Sequence, residues 1–429
     1  MLTLGLGALL LAGCGDDSTP ATGGRVAEPP KPAAPAALLR VGLFLEYSGG
    51  MKGFVPAGSA TAAATEFQQR VGSLLTETQV SDQVAAHRYF LVYQDTALKP
   101  LAFSAMRQVV LGEQQHAALG TELPDMLEAI LRRPAASQEV SVIVSDFIYG
   151  PQDKAKIPLI SDYIRTAVDP VHRQHLAVAV LAERSTFFGT YHPAVKTPVR
   201  QRQLRGERIP YYIWVIGPPA QVGRYLAQVP KSLPAEQAYF GLSFPRVPYG
   251  AVLTGLPAGS PLMTGGEGSV SQTNLSSATA LDVEDVKKRV EFTVGLNLSE
   301  LPAAWQQPAF LAQQLRATLP GAAVAPVIVP GSVQRLAPGQ QATPALAAYT
   351  HVLRLRLAAL PAGTSHLTLT LAAPEVPAWV AAWSTDNDNL PGPAARTYRL
   401  TDIMRGLRGA FPAALPPVFS LPLTLANQD

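Results

Sequence analysis

The sequence predicts an α/β domain built on a doubly wound parallel sheet, followed by a β-rich, sandwich-like domain. Two observations carry that prediction. Between residues 40 and 229, runs rich in Val, Ile and Leu alternate with stretches whose apolar residues recur at helical spacing. Strands apolar on both faces and separated by helices are the signature of a parallel sheet covered on two sides. After residue 244 the alternation stops, and the later apolar runs read apolar, polar, apolar, as half-buried antiparallel strands do. Pro-rich breaks between them suit a sandwich. With 429 residues, 47% apolar and 15% charged, the chain has material for two or three globular domains rather than a disordered polymer. A formal net charge of +3 gives no electrostatic reason to expect nucleic acid as partner.

Taken in order, RVGLFL at 40–45 is the first strand, and residues 60–75, with Ala64, Phe67, Val71, Leu74 and Leu75 on one face, follow as a helix. YFLVY at 89–93 is a strand and 103–111 a short helix. DMLEAILRR at 125–133 is an amphipathic helix, its two terminal cations favourable at the C-terminal dipole and Pro134 just beyond. VSVIV at 140–144, LAVAVL at 176–181 and YYIWVI at 211–216 are further strands, with helices expected over 157–168 and 220–229. Residues 183–208 read as an inserted loop whose cations, Lys196, Arg200, Arg202, Arg205 and Arg208, either face an anionic partner or are simply solvated. Residues 245–274 read as an interdomain connection with turns. Beyond them, 290–296, 351–357 and 365–371 are expected strands, and 401–411 a helix capped by Thr401 or Asp402.

The ligand chemistry concentrates where the strands end. In an open α/β sheet, ligands bind outside the carboxyl ends of the strands. The first strand ends at Glu46, with Ser48 and a Gly-Gly pair behind it, and VSVIV ends in Ser145-Asp146. Glu46-Tyr47-Ser48-Gly49-Gly50 resembles the Asp-x-Ser-x-Ser metal-site loop of von Willebrand factor A (VWA) domains. The resemblance extends to Gly120-Thr121-Glu122, similar to the family's threonine loop, and to Ile143-Val144-Ser145-Asp146, similar to its aspartate-bearing strand end. It covers residues 39–230 or so and implies a Rossmann-type sheet and a divalent-cation site, for Mg²⁺ or another such ion, made by Glu46, Ser48, Thr121 and Asp146. Such a site needs hard oxygen ligands with water completing the shell. Two positions depart from the pattern. Glu46 carries one methylene more than the family's aspartate, and Gly50 removes a hydroxyl. The site is therefore weak, holds its ion through extra water, or holds none; Glu46 then caps the next helix or pairs with Lys52, and Asp146 caps its own turn.

Asp386-Asn387-Asp388-Asn389 forms a second oxygen-rich cluster, resembling a calcium loop in its spacing but lacking the Gly and downstream Glu of an EF-hand. A polar turn explains it equally. No nucleophile elbow, zinc-protease, Walker or dinucleotide motif occurs. His172 and His175 lack an acidic ligand motif beside them, and nothing in the spacing supports Ser48 with His192 as a nucleophile and base. The sequence therefore predicts a non-catalytic protein.

At the N-terminus, MLTLGLGALLLAGC resembles a bacterial lipoprotein signal, an apolar run closing in Leu11-Ala12-Gly13-Cys14. The resemblance implies a signal peptide at 1–13, lipidation of Cys14, the chain's single cysteine, and a Pro/Ala-rich tether at 14–38. The expected organisation is then a VWA-like domain at 39–244 and a β-rich domain at 245–429. The protein is expected in the bacterial cell envelope, on its periplasmic face or at the cell surface. It would be held to the membrane through the lipid and would bind a partner protein there.

Overall fold

The computed structural model describes residues 37–56, 63–93, 97–113, 122–150, 153–172, 176–244, 249–253, 270–271, 280–283, 290–342, 346–358, 364–373, 375–390, 396–412 and 416–427. Cys14, the signal peptide and nearly all of the tether lie outside these residues, as does Thr121. Among the described residues no helix is long and apolar enough to cross a membrane.

The protein is mixed α/β. Its first region is a seven-stranded sheet of strands β1 (Leu39–Glu46), β2 (Val84–Val92), β3 (Leu98–Leu101), β4 (Val140–Ser145), β5 (Ala177–Tyr191), β6 (Arg202–Gly217) and β7 (Glu236–Phe240). The spatial order is β3-β2-β1-β4-β6-β5-β7. β1 pairs in parallel with β2 and β4, and all the other pairings are antiparallel. The fully parallel sheet expected from the sequence is thus corrected to a mixed one. The physical reason is the segment expected as an inserted loop. Residues 183–208 are mostly strand: β5 runs on to Tyr191, the chain turns, and β6 starts at Arg202. A hairpin connection forces its two strands antiparallel.

Helices cover both faces. α1 (Glu66–Val80) begins in a capping box, Thr65 Oγ1 accepting from Gln68 N at 3.1 Å while Gln68 Oε1 accepts from Thr65 N at 3.0 Å. With α2 (Phe103–Val110), it buries Phe67, Val71, Leu75, Met106 and Val109 against the odd-numbered side chains of β1, Val41, Leu43 and Leu45. α3 (Leu123–Leu131) starts with Pro124 in its first turn. With α4 (Ile160–His172), it covers the other face, where Phe44, Ile143, Trp214 and Ile216 meet Leu127, Ile130 and Ile164. α5 (Pro219–Gln228) returns to the first face through Val222, Tyr225 and Leu226.

The later region contains two further five-stranded sheets, mostly antiparallel. One is ordered Leu315–Thr318, Thr364–Leu371, Phe419–Asn427, Ala280–Val283, Val270–Ser271; the other Val327–Ile328, His351–Leu357, Val290–Asn297, Tyr249–Leu253. Residues 249–253 and 270–271, expected within a connection, are strands of these sheets. Phe292, Val294, Leu353, Leu355, Leu367, Leu369 and Leu423 pool into one apolar cluster, which is continuous with the first face of the α/β sheet. Tyr239 meets Trp305 across that junction, ring centroids 4.8 Å apart.

The chain then returns to the α/β layer. The helices Ala378–Trp383 and Leu400–Gly409 bury Val380, Ile403, Met404 and Leu407 with α4 on the second face of the sheet. The second of these helices does not use the expected cap: it is entered through Arg399, in the left-handed region at φ +50°, with no side-chain cap. This return brings residues 384–390 to the edge where β1 and β4 end.

Candidate functional site

β1 and β4 run side by side and finish at the same edge, so their terminal side chains converge. Glu46, Ser48, Ser145 and Asp146 are all buried, none above 6% exposure. Ser145 Oγ donates to Glu46 Oε2 and accepts from Phe147 N at 2.9 Å. Asp146 Oδ1 accepts from Ile148 N at 3.0 Å, closing its own turn. Its other oxygen faces Gly50: a Cβ there would lie 3.2 Å from Asp146 Oδ2 and 3.5 Å from Ser48 Oγ. The missing hydroxyl at position 50 therefore faces directly onto the cluster.

The cluster lies under a roof. Ser145 is level with Tyr212, and Tyr212 with Ala182, so residues 183–191 and 202–211 of the β5–β6 hairpin project past the end of β4. Phe187 folds onto Gly53, where any side chain would collide with its ring, and packs edge-on against Phe54 at 5.0 Å. Asp388 fastens the hairpin, its Oδ2 accepting from Ala194 N at 2.7 Å and Tyr191 OH at 3.2 Å, its Oδ1 from Val195 N at 3.1 Å. Asn389 adds donations to Val195 O at 2.8 Å and Val199 O at 2.6 Å. Two residues from the far end of the chain, Asp388 and Asn389, thus clamp a hairpin over the strand ends.

The electrostatics follow from this burial. Glu46 is pushed up from 4.5 to about 8, first by burial and then by the charge of Asp146, with the hydroxyls of Ser145 and Ser48 opposing. Asp146 is pushed up from 3.8 to about 6 by burial, with Asp388 adding repulsion and the Ile148 amide opposing. Tyr191 is driven up by burial and by the neighbouring Asp388 and Asp146. At neutral pH Glu46 holds a proton, and the Glu46–Asp146 pair carries about one negative charge.

Of the four residues expected to hold a cation, the structure brings together Glu46, Ser48 and Asp146. Thr121 is outside the described residues. Glu46 bonds to Ser145 rather than to Lys52, which is exposed. Asp388, expected in a separate loop, stands close enough to repel Asp146. His192 is exposed, and His175 lies outside the described residues. Two mutually repelling carboxylates beside a hydroxyl are chemically suited to a hard divalent ion. Among the described residues, however, no group of three or more His, Cys, Asp or Glu is placed to hold one. Sequence reasoning missed the roof and the role of Tyr191. The one available signal was the aromatic run Phe187-Phe188-Gly189-Thr190-Tyr191 inside the cationic segment.

No protein-family model matches the chain, and neither curated proteins nor solved structures yield a match.

Proposed function

We propose that this is a non-catalytic, lipid-anchored protein of the bacterial cell envelope that binds another protein through a VWA-like domain with a degenerate divalent-metal site. The observation that carries the reading is the convergence of Glu46, Ser48 and Asp146 at the carboxyl ends of two parallel strands, the ligand-binding edge of such sheets. The order β3-β2-β1-β4 with an antiparallel edge strand supports it from the fold side. The Leu-Ala-Gly-Cys14 ending supports the anchor, and the Pro/Ala-rich segment at 14–38 would serve as the tether.

In this reading Glu46, Ser48 and Asp146, with Thr121, would hold the ion through oxygen, and water would replace the hydroxyl that Gly50 lacks. The test is a thermal-shift titration of the full chain with Mg²⁺, Mn²⁺ and Ca²⁺. The wild type is expected to gain stability with one of them, and Asp146→Ala with Thr121→Ala to lose that gain while still unfolding cooperatively. A wild type that responds to none of the three ions removes the metal from the proposal.

A second reading rests on the same carboxylates. A buried pair sharing a proton is also how hydrolases hold a general acid, and a screen against ester and phosphate substrates separates the two readings. The hairpin roof favours binding over catalysis, since a substrate would have to displace Tyr191, which Asp388 fastens beside the pair.

A further inference from the structure

A cleft of about 770 Å³ opens between α1 and the base of the projecting hairpin, lined among others by Arg70, Glu183, Arg184, Arg208, Glu236 and Trp383. Most of its charges are already spoken for. Arg70 Nε meets Glu183 Oε1 at 2.6 Å and its Nη1 donates to Ser232 at 3.1 Å, while Tyr211 OH donates to Glu183 Oε2 at 2.9 Å. Glu66 Oε2 accepts from Thr186 N at 2.9 Å and Thr186 Oγ1 at 2.8 Å, and Arg208 stands 3.7 Å from its other oxygen.

Arg184 differs. Its guanidinium carbon sits 4.0 Å over the ring of Trp383, so the cation is held against the face of an indole. Among the described residues it has no ion pair and no acceptor for its guanidinium, and its Nε is buried without a partner. Leaving a buried donor unmade costs stability, so the arrangement is not what stability alone would select. Burial and the neighbouring Arg208 and Arg396 disfavour the cation, with Tyr212 and Glu236 opposing them. Of these two neighbouring arginines, Arg208 lines the same cleft. With the ring against one side of the guanidinium and no acceptor on its terminal nitrogens among the described residues, those nitrogens remain to donate to an oxyanion. The cleft also has the volume of a small-molecule site.

We propose that this cleft binds a small molecule bearing a carboxylate or phosphate oxyanion, with Arg184 as the receiving group and Trp383 as the platform that orients it. The site is distinct from the Glu46–Asp146 cluster and stands or falls separately from it.

The test titrates the full chain with inorganic phosphate and with malonate, against sodium chloride at equal ionic strength, reading tryptophan fluorescence and thermal stability. A saturable response to at least one probe, beyond that of chloride, is expected. Response to phosphate alone or to malonate alone identifies which oxyanion the site takes. Arg184→Gln should weaken binding by about tenfold or more, the weight of one charge-assisted hydrogen bond. Arg40→Gln, at the opposite end of β1, should bind as the wild type does. If Arg184→Gln fails to fold, Arg184→Lys keeps the charge, loses the fork, and should also bind more weakly. Identical responses to chloride and both probes, or an undiminished response in the Arg184 variants, overturn the proposal.

Discussion

One face of β1 carries a buried carboxylate cluster at each end, and the two are solved differently. At the amino end Glu139 is 1% exposed and meets two arginines, Arg133 at 2.5 Å and Arg88. Arg133 is itself held 4.3 Å over Phe44, which stacks on Phe90 at 4.9 Å. At the carboxyl end Glu46 and Asp146 are equally buried, with hydroxyls, an amide and each other for company, and no ion pair among the described residues joins either to a cation. Burying a charge beside its counter-ion is a structural device; burying two like charges together is not, and it survives only where something else requires it. The contrast sets a cluster that holds the fold beside one with no counter-ion among the described residues, the one we propose as the binding site.

The largest expected effect breaks that contrast directly. Glu139→Gln leaves Arg133 buried without its counter-charge and should lower unfolding stability by about 3 kcal/mol, the lower end for breaking a buried pair, since Arg88 is half exposed and its share is screened. Glu46→Gln replaces a carboxyl that already holds its proton near neutral pH by a neutral group of the same shape. It should change stability by less than about 1 kcal/mol. Urea denaturation of both variants at pH 7 decides it. Equal losses would mean that the two clusters do the same work.

Next in size is the pH dependence. Glu46 and Asp146 hold their protons more tightly in the folded chain, at about 8 and about 6, than their ordinary values of 4.5 and 3.8. A carboxyl raised in this way contributes its stability in full below its ordinary value and loses it as pH climbs through the raised one. Stability should therefore fall between about pH 4 and about pH 8 by something on the order of a few kcal/mol. Glu66, lowered by its hydrogen bonds to Thr186 despite its burial, works the other way, and gains as pH rises through the acid range. The difference between wild type and Glu46→Gln with Asp146→Asn isolates the pair. A wild type whose denaturation midpoint tracks that of the double variant across this range would show that the pair does not titrate as its burial requires.

The amino end and the middle of the sheet were legible because burial there writes itself into sequence. VSVIV and YYIWVI are apolar on both sides, and the helix at Glu66–Val80 shows its apolar stripe at Phe67, Val71, Leu74 and Leu75. The hairpin was not legible for the complementary reason. Past Ala182 and before Tyr211 its strands leave the sheet, so exposed positions such as Arg205 and Arg208 carry cations and the segment reads as loop. The edge strands LKPL and EQAYF have four and five residues, too few to show a periodicity. Phe419–Asn427 alternates correctly, but Pro422 within it argues against a strand. Of the site, Glu46, Ser48 and Asp146 follow from where apolar runs stop. The arrival of Asp388 does not, because it depends on a helix docking on α4 from more than two hundred residues away, and no local pattern encodes that distance.

The smallest effect sharpens the comparison most. If the carboxyl-end cluster descends from a cation site, the two departures at positions 46 and 50 should be reversible. Gly50→Ser places its Cβ 3.2 Å from Asp146 Oδ2, close enough that the carboxylate must shift by a few tenths of an ångström. Glu46→Asp withdraws one methylene from the contact with Ser145. Together they should cost about 1 kcal/mol of stability without ion, roughly one buried CH₂. In return they present a compact carboxylate and a second hydroxyl on the same cluster, so the thermal shift in Mg²⁺ should exceed that of the wild type. A cation would then stabilise the like charges that the wild type accommodates by protonation. If the double variant gains no response, the hairpin roof rather than the ligand set controls access. The test would then move to the clamp at Asp388, whose loosening should be needed before any ion can enter.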